Sequence, residues 1–152
     1  MEILIYVSFL SPDYLSLSFL IEFTKYDDDK LFSGISHLRQ ISFLETVEAN
    51  GATVFKMDAI IQSEMKKFLR KFLNASTFEL IYRNLLLKFD HFFNQSLISV
   101  NKQEFVHHSI AFVENFKCFE AKSKEYLKME TDILFEIADF CQNNELDYHK
   151  AL

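Results

Sequence analysis

Ile41-Ser-Phe-Leu-Glu-Thr-Val-Glu-Ala-Asn50-Gly51-Ala-Thr-Val-Phe-Lys56 is the stretch on which the fold class turns. Taken with the residues before it, Ile35, Leu38, Ile41, Leu44 and Val47 recur at helical spacing, and Asn50-Gly51 would end such a helix through a left-handed cap. Taken with the residues after it, Asn50-Gly51 is the two-residue turn of a β-hairpin. Ile41, Phe43 and Val47 then lead in, and Thr53, Val54 and Phe55 lead out. The hairpin would make residues 3–57 a small antiparallel sheet, whereas the helix would make the chain all-α.

The residues upstream leave the choice open. Ile3 to Leu10 is an apolar run compatible with a strand or a buried helical turn. Ser11-Pro12-Asp13 has the chemistry of a helix start: a serine cap, a proline tolerated at the first helical position and an acid near the positive end. Leu15, Leu17, Phe19, Ile21 and Phe23 nevertheless alternate as a strand would. Asp27-Asp28-Asp29 with Lys30 reads as a solvated loop, because a calcium loop needs oxygens at alternating positions and a glycine for its bend.

Downstream the pattern is plainly helical. Ile61, Met65, Phe68, Leu69, Phe72 and Leu73 form one series, and Phe78, Tyr82, Leu85, Phe89, Phe92 and Phe93 form another. Ser76 and Glu79 have capping-box spacing between them, which predicts a second helix starting near Thr77. Asn101 and Glu104 repeat that arrangement ahead of Phe105, Phe112, Phe116 and Phe119. A polar stretch from Glu120 to Lys128 predicts a turn or kink before a last helix carrying Leu127, Leu134, Ile137 and Cys141. The reading adopted is a single all-α domain over 1–152, a bundle of about five or six helices with its core at about 58–142 and an ambiguous N-terminal part, 1–57. The competitor is α+β, with an N-terminal antiparallel sheet and C-terminal helices.

Composition narrows the functional classes. A chain of 152 residues with 49% hydrophobic residues, only 2 Gly and 1 Pro can bury a core without staples and is not a disordered or linker-rich sequence. The net charge of −6 is spread along the chain and lacks the broad basic footprint of a general nucleic-acid binder. Cys118 and Cys141 read as buried thiols, and a chain with no CxxC and no secretory signal pattern is expected in the cytoplasm. Ser8, Ser11, Asp13, Ser16, Ser18 and Glu22 interrupt the apolar N-terminal part, so no run reaches the roughly 18 residues of a membrane span.

Chemistry is sparse. Gly34 and Gly51 are too scattered for a phosphate-cradling loop, no G-x-S-x-G elbow occurs, and no cofactor or small-molecule substrate is indicated. Glu104 and His107 have the E-x-x-H spacing that points a carboxylate and an imidazole at one metal ion, but a di-metal bundle needs two such pairs. Lys66, Lys67, Arg70 and Lys71 form a basic strip suited to a phosphate, a nucleic acid or an acidic protein surface. Leu85, Phe89, Phe92 and Phe93 exceed the apolar width one partner helix needs, so they are the candidate protein-binding groove or dimer contact. The expected function is a non-enzymatic regulatory or inhibitory protein-binding module. A metal-dependent helical-bundle enzyme, or weak anion binding through the strip, stands second.

Overall fold

The computed structural model describes residues 2–49, 52–94, 102–117 and 123–143. Two units divide the chain, Met1–Asn74 and Ala75–Leu152. In the first, the N-terminal apolar run is a helix, α1 (Glu2–Phe9). It buries Ile3, Val7 and Phe9, with Leu10 buried just beyond its end. Buried Ser8 is accommodated because its hydroxyl donates back to the Leu4 carbonyl at 2.6 Å.

The helix start expected at Ser11-Pro12-Asp13 does not form. Those residues are irregular, and the Pro12 carbonyl accepts from the Met57 amide at 2.9 Å. The alternating segment after them divides between the two conformations it hinted at. Leu15–Ser16 is a short strand, β1, and Leu17–Thr24 is a helix, α2. Ser16 makes the switch, ending the strand and accepting the Phe19 amide on its Oγ at 3.1 Å as the helix cap. Lys25, in the left-handed region at φ 55°, closes α2.

The aspartate triplet is not a loop either. Asp27 caps the next helix, α3 (Asp28–Gln40), accepting from the Lys30 amide at 2.8 Å. Asp28 and Asp29 sit in its first turn, where negative charge faces the positive end of the helix dipole. Leu31, Ile35 and Leu38 are its buried stripe. Gly34 is where α3 approaches α1: a β-carbon built there would overlap Cδ1 of Ile3.

The helix does not run on to Asn50-Gly51. After Gln40 the chain reverses through Ser42 at φ 60°, and the Phe43 amide bonds back to the Leu38 carbonyl at 2.8 Å. Two antiparallel strands follow, β2 (Glu45–Ala49) and β3 (Ala52–Lys56), in a register that pairs Ala49 with Ala52. Asn50 and Gly51 themselves lie outside the described residues. β1 adds to the far side of β3, Leu15 against Phe55, giving a three-stranded sheet in the order β1-β3-β2. Both Val54 and Phe55, neighbours on opposite faces of the central strand, are buried. The all-α expectation is thereby overturned. Seven helices and a three-stranded antiparallel sheet, counted among the described residues, make an α+β arrangement. The physical reason is that Ile35 and Leu38 belong to a helix that stops just before a left-handed residue, Ile41, Phe43 and Leu44 lie in the turn that follows, and Val47, Val54 and Phe55 belong to strands.

The first unit ends with α4 (Ala59–Phe72), capped by Asp58, whose carboxylate accepts from the Ile60 and Ile61 amides at 2.8 and 3.2 Å. It packs on α1 through Gln62 and Leu69, seven residues apart and so on one side of the helix. The Gln62 side-chain amide donates to the Val7 and Leu10 carbonyls at 3.2 and 2.7 Å. These carbonyls lie at the C-terminal end of α1, where helical partners run out, so α4 supplies a cap that α1 lacks locally.

The second unit comprises α5 (Ala75–Asn94), α6 (Lys102–Phe116) and α7 (Lys124–Asn143). α5 begins at Ala75, so Ser76 and Glu79 fall inside its first two turns and not at a cap. Asn101 lies outside the described residues. Ser123 starts α7, accepting the Tyr126 amide on its Oγ at 3.2 Å. The core is a ladder of rings between α5 and α6. Phe92 stacks on Phe105 at 4.0 Å, Phe89 lies 5.3 Å from Phe105 and 5.0 Å from Phe112, and Tyr82 meets Phe112 and Phe116. α7 closes the ladder with Ile133, Ile137 and Cys141, spaced four apart.

Candidate interaction surface

Leu85, Phe89 and Phe92 are buried in this ring ladder, and half-buried Phe93 meets Phe105 edge-on at 4.7 Å. The extra apolar width of α5 is therefore taken up by the rings of α6. Leu80 and Leu87 stay exposed on α5, and the exposed rings lie elsewhere. On α4, Phe68 and Phe72 are 51% and 64% exposed, their rings 4.4 Å apart. They belonged to the expected buried stripe of this helix. The structure instead centres that stripe on Gln62 and Leu69, which rotates the two phenylalanines onto a flank. A polar residue in the middle of an apolar series was the sequence signal for this rotation, since a buried glutamine needs backbone partners to bond.

The basic strip occupies the remaining surface of α4. Lys66 is half-buried, and its ammonium donates to Gln62 Oε1 at 3.2 Å. Burial, and secondarily the Arg70 charge, hold its pKa below the ordinary lysine value. Lys67 pairs with Glu64 at 2.6 Å, with both side chains in solvent. Arg70 and Lys71 are exposed, and the Lys71 ammonium stands 5.6 Å from the centre of the Phe72 ring. Aromatic and cationic groups thus share one end of α4.

α7 presents a second mixed surface. Leu127, Leu134 and Phe135 are exposed, Phe135 by 69%. Of the series expected for the last helix, Ile137 and Cys141 are buried, while Leu127 and Leu134 are not and Ile133 completes the buried stripe. Asp132 and Asp139, three residues before and four after Phe135, flank its ring along the helix, and Glu136 follows it directly. All three acids are exposed.

The groups with potential for metal or acid–base chemistry are divided among separate places. Glu104 is buried at the start of α6, and its Oε1 lies 3.6 Å from Nε2 of fully buried His108, one helical turn on. His107, the residue its spacing suggested, faces solvent. Among the described residues no three His, Cys, Asp or Glu side chains gather in a group that could hold a metal ion. Buried Tyr82 donates to Glu130 Oε2 at 3.4 Å. Burial, followed by the charge and hydrogen bond of Glu130, pushes the phenol pKa well above its ordinary value. Cys141 is a buried free thiol, and Cys118 lies outside the described residues. Among the described residues no helix is long and apolar enough to cross a membrane.

Comparison with protein-family models, with curated proteins and with solved structures returns no match. The functional reading rests on the surface itself.

Proposed function

We propose that this protein is a non-enzymatic binding module, regulatory or inhibitory in action, whose contact surface is the aromatic and basic face of α4. The observation that carries the reading is the pair Phe68 and Phe72, touching each other and half or more exposed beside the Lys71 ammonium. Covering the exposed part of each ring in a protein interface would contribute about 2–3 kcal/mol before the entropy of association is subtracted. Arginine and aromatic side chains are also the types that dominate binding energy at protein contacts.

A photo-reactive amino acid placed at position 72 of the full chain tests the reading. The expected result is a discrete protein adduct in an extract of the source cells, lost when Phe68 is also changed to serine. Absence of any adduct overturns it.

Weak nucleic-acid or phosphate binding by the same strip is the second reading, favoured by the adjacency of the Lys71 ammonium and the Phe72 ring. Single-stranded nucleic acids are held by such combinations of ring and cation. That reading requires salt-sensitive binding of a single-stranded homopolymer, abolished by reversing Arg70 and Lys71 to glutamate.

A further inference from the structure

We infer that β2 is an open sheet edge onto which an extended, basic peptide segment of a partner protein adds as a further strand. This surface is distinct from the rings of α4 and goes beyond the reading based on them. In the order β1-β3-β2 the central strand is bonded on both sides, whereas β2 has a strand on one side alone. Among the described residues, β3 is the only element packed closely on it. Glu45, Thr46, Val47 and Glu48 are all exposed although they alternate between the two faces of the strand, so an added strand finds both faces of this edge in solvent.

The register tells which backbone groups are on offer. Ala49 pairs with Ala52 across two intervening residues, the spacing at which the flanking pair exchanges hydrogen bonds. Bonded and non-bonded pairs alternate along an antiparallel ladder, so Val47 and Glu45 also bond to β3, at Val54 and Lys56. Thr46 and Glu48 lie between them, and their amides and carbonyls point away from β3. Such an outward row of donors and acceptors is a template for strand addition.

Charge and side-chain pattern choose the occupant. Glu45 and Glu48 stand on opposite faces of the edge, with Val47, 41% exposed, between them. Glu48 accepts the uncharged Thr53 hydroxyl at 3.0 Å, and Lys56, across from Glu45, lies 3.6 Å from the Asp13 carboxylate. Both glutamates therefore keep their charge for a cation beyond the edge. A strand laid antiparallel to β2 sets one residue opposite each of Glu48, Val47, Thr46 and Glu45 in turn. The matching series is basic, apolar, small polar, basic, because opposite charges facing each other across a strand pair are favourable. A second copy of β2 would bring the same two carboxylates to the edge. The net charge of −6 likewise repels a like chain and attracts a cationic segment.

Nuclear magnetic resonance titration of the full, isotope-labelled chain with the hexapeptide Thr-Lys-Val-Thr-Lys-Thr, capped at both ends, tests the inference. The Thr46 and Glu48 amides are expected to shift and to gain protection from exchange. In the bound peptide the first lysine and the threonine after the valine lie opposite Glu48 and Thr46. A methyl group on either of those nitrogens abolishes binding, while one on the outward-facing valine nitrogen leaves it intact. Glu45→Lys combined with Glu48→Lys weakens binding by about tenfold or more, and creates binding of the counterpart Thr-Glu-Val-Thr-Glu-Thr. Thr46→Pro removes an outward amide and no bond to β3, so it loses the peptide with unchanged far-UV circular dichroism. Should that variant unfold, the methylated peptides carry the same test on the unaltered protein.

A peptide that shifts no β2 amide, or that binds equally well when methylated at the paired nitrogens, overturns the inference. So does binding indifferent to the charge reversal. A free chain that sediments as a dimer with the Thr46 and Glu48 amides already protected overturns it as well, because a second copy then covers the edge. Cross-linking from position 72 reports on α4 independently of these outcomes.

Discussion

Replacing Gln62 with leucine removes the side chain that joins the first and last helices of the first unit. The glutamine is buried, and its amide donates to the Val7 and Leu10 carbonyls at 3.2 and 2.7 Å. Leucine fills nearly the same volume, so packing is largely kept while two carbonyls at the end of α1 lose a donor. A buried polar group deprived of its partner costs about 1–3 kcal/mol, and the longer of these bonds belongs at the low end. Added apolar burial offsets about 1 kcal/mol. The expected net loss is therefore about 2 kcal/mol, equivalent to roughly 10 °C in the melting temperature of a unit of this size.

Urea denaturation followed by far-UV circular dichroism measures the loss. Amide hydrogen exchange assigns it to α1 and α4. Gln62→Glu is the companion variant, placing a carboxylate against two carbonyls. It is expected to be worse than leucine at neutral pH and to recover in acid, where the protonated carboxyl regains one donor. Stability within about 0.5 kcal/mol of the wild type for Gln62→Leu would refute the argument, because that is the scatter of ordinary surface substitutions.

Other expectations follow from single sites. Lys66, with its pKa held down by burial and by Arg70, binds its proton less tightly folded than unfolded. Stability should therefore rise as pH climbs from its folded pKa towards the ordinary value near 10.5, and Lys66→Met should remove that slope and stabilise the chain at neutral pH. Tyr82 behaves in the opposite sense, since its raised pKa means that the folded state holds the phenol proton. Stability is complete below the ordinary value of 10.0 and falls as pH rises beyond it, and ultraviolet titration should find one tyrosine that ionises only on unfolding. Phe89→Ala, in the ring ladder, should cost about 3–5 kcal/mol by thermal denaturation. Phe72→Ser, on the open face, should change stability by less than about 1 kcal/mol.

How far the fold was legible depended on how many partners each segment has. Residues 78–92 and 105–116 could be read as helices directly, because each presents its rings to the other and the 3.6-residue period survives intact. Residues 35–56 could not. Helical and extended periodicities overlap at Ile41 and Val47, and the structure leaves both side chains in solvent, so neither pattern was constrained by burial there. The deciding feature was the left-handed turn at Ser42, a residue type that carries no strong preference for that conformation. The proposed contact surface was harder still. A periodic series on α4 says that a helix has an apolar side but not how far that side is rotated, and rotation about Gln62 and Leu69 moved Phe68 and Phe72 from the core to the surface. Leu85, Phe89 and Phe92 moved the other way, because the rings of α6 that cover them lie distant in the sequence.

The strand order β1-β3-β2 also sets a timetable for folding. β2 and β3 are neighbours and can pair within microseconds once both exist. β1 has no such local partner: Leu15 and Ser16 pair with Phe55 and Val54. The end of α1 waits longer still, for a side chain 52 residues beyond Leu10. As the chain leaves the ribosome, the apolar segments of residues 3–38 are made before anything that completes them. The first unit is finished almost at once when β3 and α4 emerge, so an interruption of synthesis before residue 62 should leave its most hydrophobic part uncovered and prone to aggregate.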